Sequence, residues 1–218
     1  MKLTSTLNAA GLTTGQAASV RVAGASTSCR GLLRPALTLL VLLSALTGLA
    51  YPALVTGLAQ TLFPFQANGS LVRDGERVVG SVLIGQSFTA AHYFHGRPSA
   101  TAERPYNAMA SGGSNLGPAN PELVRQVRER IAALAPVPAG QTVPLDLVTS
   151  SASGLDPDIS PAAAFYQVAR VARARGLPEE AVAQLVRDLI QPPQWGMFGQ
   201  PRVNVLQLNR QLDQLASR

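Results

Sequence analysis

The sequence predicts a mixed α+β domain held outside a membrane by one N-terminal transmembrane helix. Three observations carry that prediction. Residues 35–72 contain no charged residue. The segment before that run carries positive charge only. Beyond it, hairpin, helix-cap and strand signals alternate over about 150 residues, enough for one core.

The uncharged run sets the topology. A helix needs about 20 apolar residues to cross a bilayer, and in lipid its backbone must bond within itself. Residues 35–63 predict that helix, with residues 1–34 as a disordered cytoplasmic tail and 66–218 as an extracytoplasmic mixed α/β domain. Pro52 falls inside the span and predicts a kink, and Pro64 predicts its end. Ser44, Gly48, Pro52 and Gly57 interrupt the leucines and suit packing against another membrane helix; a plain anchor is the alternative. Lys2, Arg21, Arg30 and Arg34 precede the span. From residue 66 onward, 14 Arg face 12 acidic residues, a net of +2. The basic excess therefore flanks a membrane segment and does not line a nucleic-acid groove. Positive flanks stay in the cytoplasm, so the domain is expected outside. Cys29, the only cysteine, precedes the span, so the domain makes no disulfide. A cleaved signal peptide would need a cut near Ala50, giving a secreted solute-binding protein. The apolar run is longer than the roughly 7–15 residues of such a peptide, which favours an uncleaved anchor.

After the span, Asn68-Gly69 marks a turn. The segments 70–72 and 76–84 around Asp74-Gly75 predict a hairpin. Residues 86–118 form a long stretch without period, and Phe88, Tyr93, Phe94 and Tyr106 predict that it is ordered. Asn120-Pro121 opens a helix with Leu123, Val127, Ile131 and Leu134 on one face, ended by Pro136 and Pro138. Residues 145–149 read as a short buried strand and 150–158 as a polar loop. Ser160-Pro161 opens a helix to Arg175, closed by Gly176, with Phe165, Val168, Ala169 and Ala172 as its buried stripe. Pro178-Glu179-Glu180 opens another, ending before Pro192-Pro193. Residues 203–206 read as a strand and 206–215 as a helix.

Little in this chain points to self-contained chemistry. Its single lysine, Lys2, excludes a Gly-Lys-Ser/Thr phosphate loop and the Asp-Lys-Thr sequence of P-type pumps. One span forms no permeation path. His92 and His95 lie in a non-helical stretch with no cysteine near them, and they read as ordinary loop imidazoles, not metal ligands. No Gly-x-Ser-x-Gly elbow is present. The loop at 111–115 could cradle an anion, but reads better as a tight turn with positive φ. Asp156 and Asp158 flank Pro157 and could form a paired acid and base, but read better as part of a loop that caps the following helix, and Arg170, Arg173 and Arg175 read as a solvated helix face. No catalytic or metal-binding set is assigned.

Several stretches then carry a resemblance. They are Gly80-Ser81-Val82-Leu83-Ile84-Gly85-Gln86-Ser87-Phe88, Arg97-Pro98-Ser99-Ala100, Tyr106-Asn107, Ala110-Ser111-Gly112-Gly113-Ser114-Asn115-Leu116-Gly117-Pro118, Ser153-Gly154-Leu155-Asp156-Pro157-Asp158 and Gly199-Gln200-Pro201-Arg202-Val203-Asn204-Val205-Leu206. Together they resemble the C subunit of the bacterial Kdp-type potassium-transporting ATPase over most of residues 37–215, with Gln200 where many relatives carry Glu. The resemblance implies a small accessory subunit in the bacterial inner membrane. Its implied partners are a potassium-conducting, channel-like subunit and a P-type ATPase subunit, besides the lipid bilayer. It implies a catalytic chaperone that raises the ATPase subunit's affinity for ATP, holds the complex together and has no cofactor of its own. It marks Gln86, Arg97, Pro98, Ser99, Tyr106, Asn107, Ser111, Gly112, Gly113, Asn115, Asp156, Arg202 and Asn204 as motif or interface positions. It also suggests that residues 86–118 are ordered against the potassium-conducting subunit. Since the predicted topology puts the domain opposite to ATP, any nucleotide effect is expected to be indirect. The competing expectation is a membrane-tethered extracytoplasmic hydrolase or metal enzyme using His92 or His95.

Overall fold

The computed structural model describes residues 29–134 and 142–216. The chain divides into two compact units, Met1–Val55 and Thr56–Arg218. Most of the expected tail, with Pro136 and Pro138, lies outside the described residues.

The apolar run is helical, in helix α1 (Cys29–Ala45), a wide π turn (Leu46–Ala50) and helix α2 (Tyr51–Leu62). Residues Gly31–Leu62 are long and apolar enough to cross a membrane, and their most apolar window is entirely unburied. The helix thus begins ahead of the expected boundary at residue 35. A prolyl nitrogen has no hydrogen to donate, and its ring crowds the carbonyl four residues back. The ladder widens just ahead of Pro52, where the Tyr51 N–H reaches the Leu46 carbonyl, a π bulge that makes room for the ring. The span stops at Leu62, and Pro64 opens the short helix α3 (Pro64–Ala67).

The exit from the span is tied to the domain. Asn68 Nδ2 donates to Gln60 Oε1 at 3.0 Å and to Pro64 O at 2.7 Å, and Gln60 Nε2 returns a bond to Asn68 Oδ1 at 3.3 Å. The hairpin follows. Strand β1 (Leu71–Asp74) pairs antiparallel with β2 (Arg77–Ser81), with a register shift between Val72 and Arg73. The turn centres on Gly75, at φ +57°. Strand β2 ends at Ser81, earlier than the expected residue 84. Ser81 Oγ donates to Gly69 O at 2.7 Å and accepts from Leu83 N at 3.1 Å, which turns the chain.

Helices α5 (Pro161–Arg175), α6 (Glu179–Asp188) and α7 (Val205–Ala216) build the core. Strands β3 (Asp158–Ile159) and β4 (Val203–Asn204) pair antiparallel beside them. Ser160 caps α5 through the Ala163 N–H at 3.2 Å, and Gly176 closes it at φ +66°, as expected. Phe94, Val171, Val182, Val186, Val203, Leu208 and Leu212 are fully buried. Each such side chain contributes about 1.5–3 kcal/mol of burial. Helix α4 (Pro121–Ala133), capped by Asn120, has no buried residue; Arg130 ties it to Val148 O at 2.8 Å, and Leu134 at its end packs against the core.

Four expectations are corrected. Residues Leu145–Leu147 form a 3-10 turn, not a strand, because Val148 N and Thr149 N both fold back on the Leu145 carbonyl. The buried stripe of α5 runs through Ala163, Ala164, Gln167, Val168, Val171 and Ala172, while Phe165 is exposed. Gln167 turns inward because backbone partners wait there. The strand expected over 203–206 is two residues long, and Val205 already begins α7. The loop expected to 158 hides the start of β3.

Candidate functional site

Residues 86–118 wrap the domain, held by amide side chains from two helices. Asn209 of α7 accepts from Phe94 N at 2.8 Å and donates to Phe94 O at 3.0 Å. Gln167 of α5 does the same for His95, at 2.8 and 3.1 Å. Each amide thus imitates a neighbouring strand for one loop residue. Arg170 donates to Ala91 O at 2.6 Å and Tyr93 O at 3.1 Å. Arg175 bonds His92 O and Asp213 at 2.7 Å and lies over the Tyr93 ring at 5.0 Å. Two of the three helix arginines are therefore fasteners, not a solvated face; Arg173 alone is exposed.

The motif positions converge where this wrap meets residues 150–158. Arg97 pairs with Asp156 at 3.1 Å. Tyr106 donates to Arg97 O at 2.6 Å, and Ser99 to Gly154 O at 2.7 Å while accepting from Tyr106 N at 2.8 Å. Asn107, buried, caps a 3-10 turn at Ala108–Ala110 through Met109 N at 3.1 Å. Ser111 Oγ and Gly112 N both reach Ser153 O. Asp156 turns the chain by accepting from Asp158 N. Asp158 takes Arg202 at 3.1 Å and Asn204 at 3.0 Å, and Asn204 also donates to Val82 O. The capping expected of the loop around these two aspartates is not theirs: Ser160, just beyond it, caps α5. Gln86 lines a small pocket with Tyr106 and Asp156 and donates to Val79 O at 2.8 Å, against Gly80, where any side chain would strike the Gln86 amide. Pro98 lines a groove beside Arg97. In the 111–115 loop the positive φ falls on Asn115, +52°, not on a glycine. Gly113 is crowded instead, since a Cβ there would stand 3.0 Å from Ala152 O.

The electrostatics follow from this closeness. Burial pushes the Tyr106 hydroxyl up to about 12, helped by Asp156 and opposed by Arg97. Burial raises the Asp158 carboxyl above its usual range, against the bonds from Asn204 and Arg202. Burial, and then Arg170, lower His95 below its usual 6.5. Its Nε2 lies 3.1 Å from Ala90 O. An imidazole placed so holds a loop. Among the described residues no three His, Cys, Asp or Glu gather into a metal-sized set.

One open groove of about 460 Å³ borders the cluster and runs past Phe88, His95, Arg97, Tyr106, Arg130 and Leu134. A second groove, of about 590 Å³, touches none of the residues clustered around Arg97 and Asp156 and runs past Arg77, Gln86, Tyr93, Arg210 and Asp213. Nearly every polar motif side chain is bound to backbone of its own domain, so the arrangement fixes loops and leaves few groups for a substrate. In the span, Ser44, Gly48, Pro52 and Gly57 are all exposed, and nothing lies within 4 Å of a Cβ built on either glycine. Sequence reasoning did not single out Gln167 or Asn209. Their signal was a polar residue at a core-facing helical position.

The family model of KdpC, described as the c chain of the K+-transporting ATPase, matches residues 33–214. A potassium-transporting ATPase KdpC subunit of Variovorax paradoxus is 64% identical over 187 residues, covering 85% of this chain and 97% of that protein. One from Burkholderia orbicola is 61% identical over 184 residues, covering 84% and 95%. One from Burkholderia cenocepacia is 60% identical over 186 residues, covering 84% and 96%.

Proposed function

The chain belongs to the KdpC family of K+-transporting ATPase c chains, and from that premise we propose that it is a non-catalytic accessory subunit. It joins a channel-like, potassium-conducting subunit and a P-type ATPase subunit in the cell membrane, steadies their assembly and raises the ATPase subunit's affinity for ATP. The observation that supports a non-catalytic role is the use of the motif side chains: Ser99, Tyr106, Asn107 and Ser111 are all committed to backbone carbonyls of the domain itself.

The N-terminus is cytoplasmic and the domain lies on the far side, a reading supported by the charge asymmetry around the span. ATP is then bound by the partner alone. The subunit acts on nucleotide affinity by binding one pump conformation better than another, since only differential affinity shifts an equilibrium. The span brings its exposed small residues against a partner helix.

Purified complex with and without this chain tests the role. The ATPase is expected to need more ATP for half-maximal turnover without it, and equal ATP dependence would refute the chaperone role. Whole cells treated with a membrane-impermeant thiol reagent are expected to leave Cys29 unmodified. Modification of Cys29 from outside would invert the topology.

A further inference from the structure

The membrane exit and the end of the hairpin lie together. Ser70 N bonds Phe65 O at 2.9 Å, Val82 N bonds Ser70 O at 3.1 Å, and Ser81 Oγ donates to Gly69 O at 2.7 Å. Ile84 N reaches back to Ser81 O at 3.3 Å, so residues 82–84 close as a turn. The domain holds this turn from its other side. Asn204 donates to Val82 O at 2.9 Å, and Leu155 O accepts from Gly85 N at 2.8 Å. The backbone of the turn is therefore fixed, yet its two large side chains are exposed, Leu83 by 60% and Ile84 by 38%. Phe63 and Phe65, where the chain leaves the span, are exposed as well.

Height and charge decide what covers them. The headgroup layer on one side of a bilayer is about 5–8 Å deep. Helix α3 is the only helical turn between the span and the clasp, and it is about 6 Å long. The turn at 82–84 is two hydrogen bonds from Phe65, so it stands at the level of the headgroups and meets the surface from which the chain emerges. The hairpin is also sorted by charge. Asp74, Glu76 and Arg77 lie at its far end, about 10 Å from its base at the usual rise of a strand. From the base onward, residues 78–96 hold no Asp, Glu, Lys or Arg. Apolar side chains placed so enter the boundary between headgroups and acyl chains. We propose that Leu83 and Ile84 insert into the leaflet from which the span emerges and give the domain a second point of attachment to the bilayer, a placement that rests on the membrane-span reading. A single helix is free to tilt in a bilayer. A second contact limits that tilt and so fixes which face the domain turns to its neighbours, as a subunit that steadies an assembly requires.

The test uses the full chain within its complex, in nanodiscs of phosphatidylethanolamine and phosphatidylglycerol. Cys29, the only cysteine, is first replaced by Ser. A nitroxide is then attached in turn at Leu83→Cys, Ile84→Cys, Glu76→Cys and Leu58→Cys, all exposed positions. Its relaxation is measured with oxygen, which concentrates in lipid, and with a water-soluble nickel chelate. Labels at 83 and 84 are expected to meet oxygen several-fold more than nickel, and the label at 76 the reverse. Labels at 83 and 84 as open to nickel as the one at 76 overturn the proposal and leave the turn in water. Labels there shielded from both reagents overturn it too, because a neighbouring subunit would then cover the turn. A label at 58 that meets nickel freely would remove the membrane-span reading itself, and this proposal with it.

Discussion

Residues 86–118 and residues 189–201 look alike in sequence, both rich in proline, glycine and aromatics and neither periodic. In the folded chain they are opposites. The first sends Phe94 into the core at 0% exposure and is gripped by Asn209, Gln167, Arg170 and Arg175. The second bonds chiefly to itself and leaves Trp195 at 81% exposure. Composition sets neither fate. What separates them is whether another element supplies polar side chains at the right height to satisfy the loop's backbone.

That contrast can be broken at its strongest point first. Phe94→Ala is expected to cost about 3–5 kcal/mol, as for a buried aromatic that leaves a cavity. Denaturation of the full chain in detergent, followed by near-ultraviolet ellipticity, would read it; a loss below about 1 kcal/mol would show that the loop is not held by the core. Asn209→Ala strands the buried N–H and C=O of Phe94, and the expected cost is roughly 2–4 kcal/mol in the same measurement. An unchanged midpoint would mean that the amide imitates a strand in geometry only.

A smaller effect is expected from acid. The folded chain holds His95 below 6.5, so it favours the neutral ring. As pH falls through 6.5 the unfolded chain gains a proton first. The stability due to this residue is full above that pH and is lost until the lower folded value is reached. His95→Gln should flatten that slope in denaturation midpoints taken from pH 7.5 to 5, and an identical slope in both chains would assign it elsewhere. Smallest of all, Trp195→Ala should move stability by no more than about 0.5 kcal/mol. A larger loss would mean that the 189–201 loop supports the fold and is not simply displayed by it.

Much of the architecture was legible because its signals are local. Ser160-Pro161 and Gly176 bound α5 as read, Asn120-Pro121 opens α4, and Asp74-Gly75 sits at the hairpin turn. What escaped depends on contacts far along the chain. A two-residue strand such as Asp158–Ile159 has no period to detect. Phe165 looked like the buried residue of α5, but the helix rotates Gln167 inward because the His95 backbone, 72 positions away, needs both halves of its amide. The leucine and valine at 147–148 promised a strand, yet Pro144 leads into a 3-10 turn whose Asp146 accepts from Ser160 N at 2.9 Å. The motif residues were legible as a family signature, whereas their use as loop fasteners was not. That use lies in which carbonyl each one reaches.

The clasp at the end of the span has a practical consequence for anyone who wishes to cut the domain free. The first strand begins at Leu71, but its support begins earlier. Ser81 leans on Gly69 O, Val82 N on Ser70 O, and Ser70 N on Phe65 O. Phe65 belongs to the turn of helix opened by Pro64, which the Asn68 amide ties to Gln60. A fragment starting at residue 71 would release the end of β2 from its anchorage and shed every one of these bonds. One starting at Pro64 would keep all but those to Gln60. The workable scissor point therefore lies at Pro64, just past the end of the long apolar helix at Leu62, and a soluble version of this domain will carry the short helix Pro64–Ala67 with it.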